Sequence, residues 1–167
     1  RRRPAHAGGG AISIGDGTTL GIPVNVGGPT LTASGLNLGS IGTTTLEVDF
    51  GANSIPATVL VNGGVVTANG SVKVDINGTA LTPGVVPLLQ YTSLGGGGGF
   101  GAFSLGNVPR GVSATLQNNT GTSTIELHIN SVDSLIWTGA SDSTWDINTT
   151  TNWSLSGSPA IFLDGDA

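Results

Sequence analysis

The chain carries ten carboxylates, two histidines and, beyond Arg1, Arg2 and Arg3, only Lys73 and Arg110 as basic groups. Glycoside hydrolysis needs two carboxyl groups facing each other across the scissile bond. Glu47 and Asp49 are the pair whose mutual position is readable. Leu46-Glu47-Val48-Asp49-Phe50 alternates as a strand, which puts both on one face about 7 Å apart. A solvated strand face reads the same way, and that reading is preferred. A pectate-lyase-like chemistry would want a basic group beside the substrate, and Lys73 and Arg110 are a thin supply. His6 and His128 lack metal-ligand spacing, and no serine sits in a nucleophile elbow. Gly95 to Gly99 lack the Gly-Lys-Ser/Thr and the helix that a phosphate loop requires. No catalytic residue and no cofactor are expected.

Two further chemistries are open. Asp142, Asp146, Asp164 and Asp166 gather near the end of the chain with Asn148 and Asn152, and hard cations prefer such oxygens. They are the calcium candidates, although no EF-hand or nonapeptide spacing occurs. The preferred alternative has Asp142 and Asp146 starting turns and Asp164-Gly165-Asp166 forming a hairpin bend. Trp137, Trp145 and Trp153 lie eight residues apart in a stretch of small polar residues. As flat apolar rings they would suit a sugar face. The preferred expectation is that each begins its own short strand and points into a small core. Sequons at Asn69, Asn77, Asn118, Asn148 and Asn152 are what chance supplies in a chain so rich in Asn, Ser and Thr.

The elements that must position these residues are strands. With 29 glycines, 9% charged residues and 37% hydrophobic residues in short alternating runs, the chain disfavours helix and suits strands joined by tight turns. Apolar pairs recur at Ile12/Ile14, Leu20/Ile22, Val24/Val26 and Leu36/Leu38. Longer runs are Leu46–Phe50, Val72–Ile76 and Ile125–Ile129, with a strong turn signal at Asn62-Gly63-Gly64. Leu46, Val59 and Val72 are spaced by 13 residues, which suits the rungs of a β-solenoid or β-helix-like stack of short strands. An antiparallel β-sandwich is the alternative. Either way the expected class is all-β with little or no helix.

Cysteine and methionine are absent, which excludes disulfides and reads as a mature or excised segment. The net charge is −5, and an acidic body disfavours nucleic acid. No apolar run approaches membrane-spanning length, so no membrane insertion is expected.

Four segments carry a resemblance: Ile136-Trp137-Thr138-Gly139, Ser143-Thr144-Trp145-Asp146, Thr151-Asn152-Trp153-Ser154 and Phe162-Leu163-Asp164-Gly165-Asp166. Their order resembles the opening of a module in large bacterial surface proteins with autotransporter-associated β-strand repeats. Gly84 to Tyr91, the glycine run, Val108 to Leu116 and Thr124 to Leu127 resemble the end of such a repeat block, with Val108 where leucine is usual. The resemblance covers roughly residues 30–166. It implies an extracellular, bacterial cell-surface location and an assembly or core motif of Trp137, Trp145, Asp146, Asn152, Trp153, Asp164 and Asp166. It also implies that the last module lacks its final valine-rich strand.

The expected organisation is a flexible leader (1–10), an all-β repeat block (11–130), a joint (131–134) and an incomplete tryptophan-containing β module (135–167). The expected function is that of a non-catalytic structural subunit of a surface fibre or scaffold. Identical subunits would join head-to-tail by strand complementation, with a segment such as Ala11–Val26 as the donor. An adhesin or glycan-binding module is the alternative, and a β-helix polysaccharide enzyme the third reading.

Overall fold

Residues 10–24, 31–53 and 61–163 are described in a computed structural model of the chain. The protein is all-β, with several sheets and, among the described residues, none closed into a barrel. Among the described residues the one helical turn is the 3-10 turn Gly99–Ala102.

The first eleven strands are short: β1 (Ala11–Ile14), β2 (Thr19–Pro23), β3 (Leu31–Thr32), β4 (Gly35–Leu38), β5 (Thr43–Asp49), β6 (Val61–Asn62), β7 (Val65–Ala68), β8 (Ser71–Asn77), β9 (Gly84–Gln90), β10 (Ser93–Gly95) and β11 (Phe103–Leu105). Every third strand enters the same sheet. The orders are β1-β4-β7-β10, β2-β5-β8-β11 and β3-β6-β9, and all these neighbours run parallel. The third sheet continues antiparallel through β13 (Thr124–Val132) to β12 (Val112–Asn119). A separate antiparallel sheet follows, ordered β14 (Leu135–Trp137), β15 (Trp153–Leu155) and β16 (Ser158–Ala160). Sheets facing one another across a shared core also fit a sandwich.

Register shows what sets the spacing. Ala11 lies beside Gly35, Gly35 beside Val65 and Val65 beside Ser93, so successive strands of that sheet are offset by 24, 30 and 28 residues. The 13-residue interval is therefore not the repeat. Leu46 lies beside Val74, Val72 lies beside Thr44, and Val59 is outside the described residues. Asn62-Gly63-Gly64 is likewise a corner between two sheets, because β6 and β7 do not pair with each other.

One-sided alternation makes the core. Leu46, Val48 and Phe50 turn inward and are buried, while Glu47 and Asp49 sit on the opposite face. The same logic buries Val72, Val74 and Ile76 from β8 and Ile125, Leu127 and Ile129 from β13, giving one continuous apolar cluster. Burial of this kind stabilises by roughly 1.5–3 kcal/mol per large aliphatic side chain.

Corners are tied to their neighbours by side chains. The Asp16 carboxylate, between β1 and β2, accepts hydrogen bonds from the Ser40 amide (2.7 Å), the Ser40 hydroxyl (2.7 Å) and the Ile41 amide (3.3 Å) between β4 and β5. These donors, the Ser40 hydroxyl first, lower its pKa from 3.8 to about 2. The folded state thus prefers the carboxylate. The contribution is complete above pH 3.8 and is lost as pH falls toward about 2. A carboxyl-carbon NMR titration should show an Asp16 midpoint near 2, and Asp16→Asn should flatten the acid limb of the stability curve in that window. A midpoint at or above 3.8 would show that this corner clasp does not form in solution.

Candidate functional site

The tryptophan segment is organised by one amide. In the β14–β15 pair Trp137 lies opposite Trp153, and the chain between them returns through a long irregular loop. Asn152, immediately before β15, is only 1% exposed. Its Oδ1 accepts from the Ser141 amide (2.8 Å) and the Asp142 amide (2.9 Å). Its Nδ2 donates to Asp142 Oδ1 (2.7 Å) and to the Thr144 carbonyl (2.9 Å). Its own carbonyl accepts from the Thr138 amide (2.7 Å), the Gly139 amide (3.0 Å) and the Thr138 hydroxyl (2.8 Å). Every polar atom that a buried asparagine side chain brings is thereby used.

The nearby carboxylates serve the same loop. Asp142 also accepts from the Thr144 amide (2.8 Å), and the Asn152 amide with this Thr144 bond holds its carboxyl below the usual range. Asp146 takes the Thr150 amide (2.8 Å) on one oxygen and the Thr150 hydroxyl on the other. Both act as turn organisers here, and Asp164 and Asp166 lie outside the described residues. Among the described residues no three His, Asp or Glu side chains gather to hold a metal. Asn148 adopts φ 64°, and its amide donates to the Phe162 carbonyl (2.8 Å).

The three indoles meet. Trp137 and Trp145 lie 5.4 Å apart at 22°, and both meet Trp153 edge to face at 5.3 and 4.8 Å. Phe162 closes on Trp153 at 4.9 Å. The expectation of one buried tryptophan per strand needs correcting. Only Trp153 opens a strand and is buried (8% exposed), Trp137 ends β14 at 36%, and Trp145 lies in no strand at 64%. A sheet of three short strands covers one ring from its own layer; the other two lean on that ring with their outer surfaces in water. Ile136 and Ile147 are exposed beside them in sequence.

The remaining candidates do not converge. Glu47 accepts from Asn77 Nδ2 (2.9 Å), and Asp49 accepts from the Gly51 amide (2.8 Å), on an outward strand face. Asp75, beside Glu47 in register, pairs with Lys73 at 3.2 Å. His128 is half-buried opposite the core and contacts Glu126 at 3.2 Å. His6 lies outside the described residues.

Sequence reasoning missed the contacts that fasten the joint. Arg110 Nη1 donates to the Ile161 carbonyl (2.9 Å), the Ser156 hydroxyl donates to Asp133 Oδ2 (2.5 Å), and the Asp133 amide donates to the Gly111 carbonyl (2.9 Å). No periodicity links residues so far apart in the chain. No helix among the described residues is long and apolar enough to cross a membrane. Comparison with family models, with curated proteins and with solved structures finds no match.

Proposed function

We propose that this chain is a non-catalytic structural protein, a β-solenoid subunit of a bacterial cell-surface fibre or scaffold that joins identical subunits end to end by strand addition. The solenoid reading is supported by the parallel recurrence of every third strand in three sheets. The surface location is supported by the resemblance of the tryptophan segment to autotransporter-associated repeats.

The observation that carries the reading is the state of the first row. β1, β2 and β3 each end their sheet and have no partner on the outer edge among the described residues. Of their inward side chains Ile12, Ile14, Leu20 and Leu31 are only partly buried and Ile22 is buried, whereas Leu36, Leu38, Leu46 and Val48 one row further in are all buried. At the other end β10 and β11 also end their sheets with Leu94 and Leu105 partly buried, while the third sheet continues from β9 into β13 and β12. A further row about 4.8 Å away would satisfy the edge amides and cover those side chains together. Strands β1 and β2 already belong to this chain's own sheets, so they would offer their outer edges while remaining in place. Contacts between unlike ends produce linear polymers when the rotation between subunits does not close a ring.

Sedimentation and negative-stain microscopy across a concentration series should show linear oligomers that lengthen with concentration. Thr19→Lys with Gly21→Lys places charge on the outward face of the edge strand β2, where space is open at Gly21, and should return the protein to monomers. Uniform monomers at every concentration, or polymers indifferent to the lysines, would reject the reading. The exposed Trp145 favours the second reading, a glycan-binding or adhesive surface module.

A further inference from the structure

Where the parallel stack meets the tryptophan segment, a cleft of about 200 Å³ opens between the corner after β8, the entry to β12, the joint and strands β14 and β15. That is more than ten times the roughly 10–15 Å³ one water molecule needs. Its polar wall includes Thr79, Arg110, Asp133 and Ser134, and its apolar wall includes Leu135 and Leu155. We infer that this cleft is a binding site for one neutral sugar ring, free or at the end of a glycan chain.

The chemistry of the lining selects that class. Arg110 offers only donors and Asp133, ionised, only acceptors. Both are tethered by the wall, Arg110 through its bond to the Ile161 carbonyl and Asp133 through the Ser156 hydroxyl, so ordering them costs little on binding. With one charge of each sign among the described lining residues, an anionic ligand gains at Arg110 and is repelled at Asp133, and a cation the reverse. A polyol escapes this conflict, because each hydroxyl both donates and accepts. Adjacent ring hydroxyls can donate to Asp133 and accept from Arg110, with Ser134 and Thr79 beside them. Leu135 and Leu155 offer the aliphatic surface against which the C–H face of a pyranose loses water. Mixed clefts between packed units are where small ligands usually bind. The inference is independent of polymer formation, and monomers in the assembly experiment leave it standing.

Saturation-transfer NMR of the intact chain with methyl hexopyranosides, hexuronates, amino sugars and short neutral oligosaccharides tests it. Neutral hexosides should bind, hexuronates and amino sugars more weakly. Oligosaccharides that bind through their terminal ring only would identify a chain end as the physiological source, and equal binding of the free hexoside a free sugar. Asp133→Ala and the cleft-filling Leu155→Phe should each weaken binding by roughly tenfold or more, the scale of one lost charged hydrogen bond. Trp145→Ala should leave it unchanged. Near-UV circular dichroism of the indole cluster reports whether each variant keeps the module folded, and Leu155→Phe retains the test if Asp133→Ala does not. Absence of binding by every neutral sugar overturns the inference. So does binding that survives Leu155→Phe but fails with Trp145→Ala, because the site is then the aromatic surface.

Discussion

Asn152→Ala should unravel the loop between Trp137 and Trp153 and destabilise the tryptophan segment by about 3 kcal/mol, the scale of several buried hydrogen bonds lost at once. The substitution removes four side-chain bonds and strands the Ser141 and Asp142 amides and the Thr144 carbonyl, while Asp142 Oδ1 keeps its bond from the Thr144 amide. Some of these groups reach water after local opening, which keeps the loss below the sum of three full penalties. A three-stranded sheet of three-residue strands has little reserve against it. Asn152→Asp should do no better, because it keeps the acceptor but sets a carboxylate where the amide now donates to Asp142.

The readout is specific because all three tryptophans lie in this one segment. Indoles 4.8 to 5.4 Å apart give coupled near-ultraviolet circular dichroism, which should vanish in the variant as emission shifts to the red. Amide exchange in β5 and β8 should stay protected, because their apolar cluster does not include the tryptophan segment. Wild-type indole coupling with an unchanged melting temperature would mean that the loop is ordered by something other than this amide.

The sequence announced these strands and concealed their partners. Leu46–Phe50, Val72–Ile76 and Ile125–Ile129 are visible because each buries one face, and that writes a period of two into the chain. Row stacking leaves no such trace. Partners in the parallel stack lie 24 to 31 residues apart across corners of unequal length, so no fixed interval survives to be counted. The even 13-residue spacing was an accident of two strands and a segment between them. Asn152 drew notice from its place before Trp153 in a resembling motif and as a cation-ligating oxygen. Its partners at Ser141, Asp142 and Thr144 follow from loop closure, which periodicity does not encode. Trp145 misled for a related reason. A tryptophan among small polar residues reads as core, but a single-layered sheet has no second layer to cover it.

Gly64→Ala should cost about 4 kcal/mol or more and deplete soluble protein, the second of the two large effects expected here. Gly64 holds φ +57° at the corner between β6 and β7, and a methyl group there would overlap the Ser34 carbonyl of the preceding row. The rows touch through this backbone: the Val65 amide donates to the Ser34 carbonyl at 3.2 Å, and the Thr92 amide of the next row donates to the Gly64 carbonyl at 2.7 Å. Pushing Ser34 away therefore disturbs three rows together. Gly17→Ala is the internal control, since Gly17 has φ +71° with nothing within 4 Å of an added Cβ. Its loss should be only the left-handed backbone term, about 1–2 kcal/mol. The difference between the two losses, measured by urea unfolding, isolates the row contact. Gly96, at φ +98° after β10, makes a similar close approach to the Ala68 carbonyl at a different corner, and Gly96→Ala should also cost more than Gly17→Ala. Equal losses at Gly17 and Gly64 would mean that the rows are not held at backbone contact in solution, and the outer edges of β1, β2 and β3 would then lose the rigid platform that the proposed end-to-end strand addition requires.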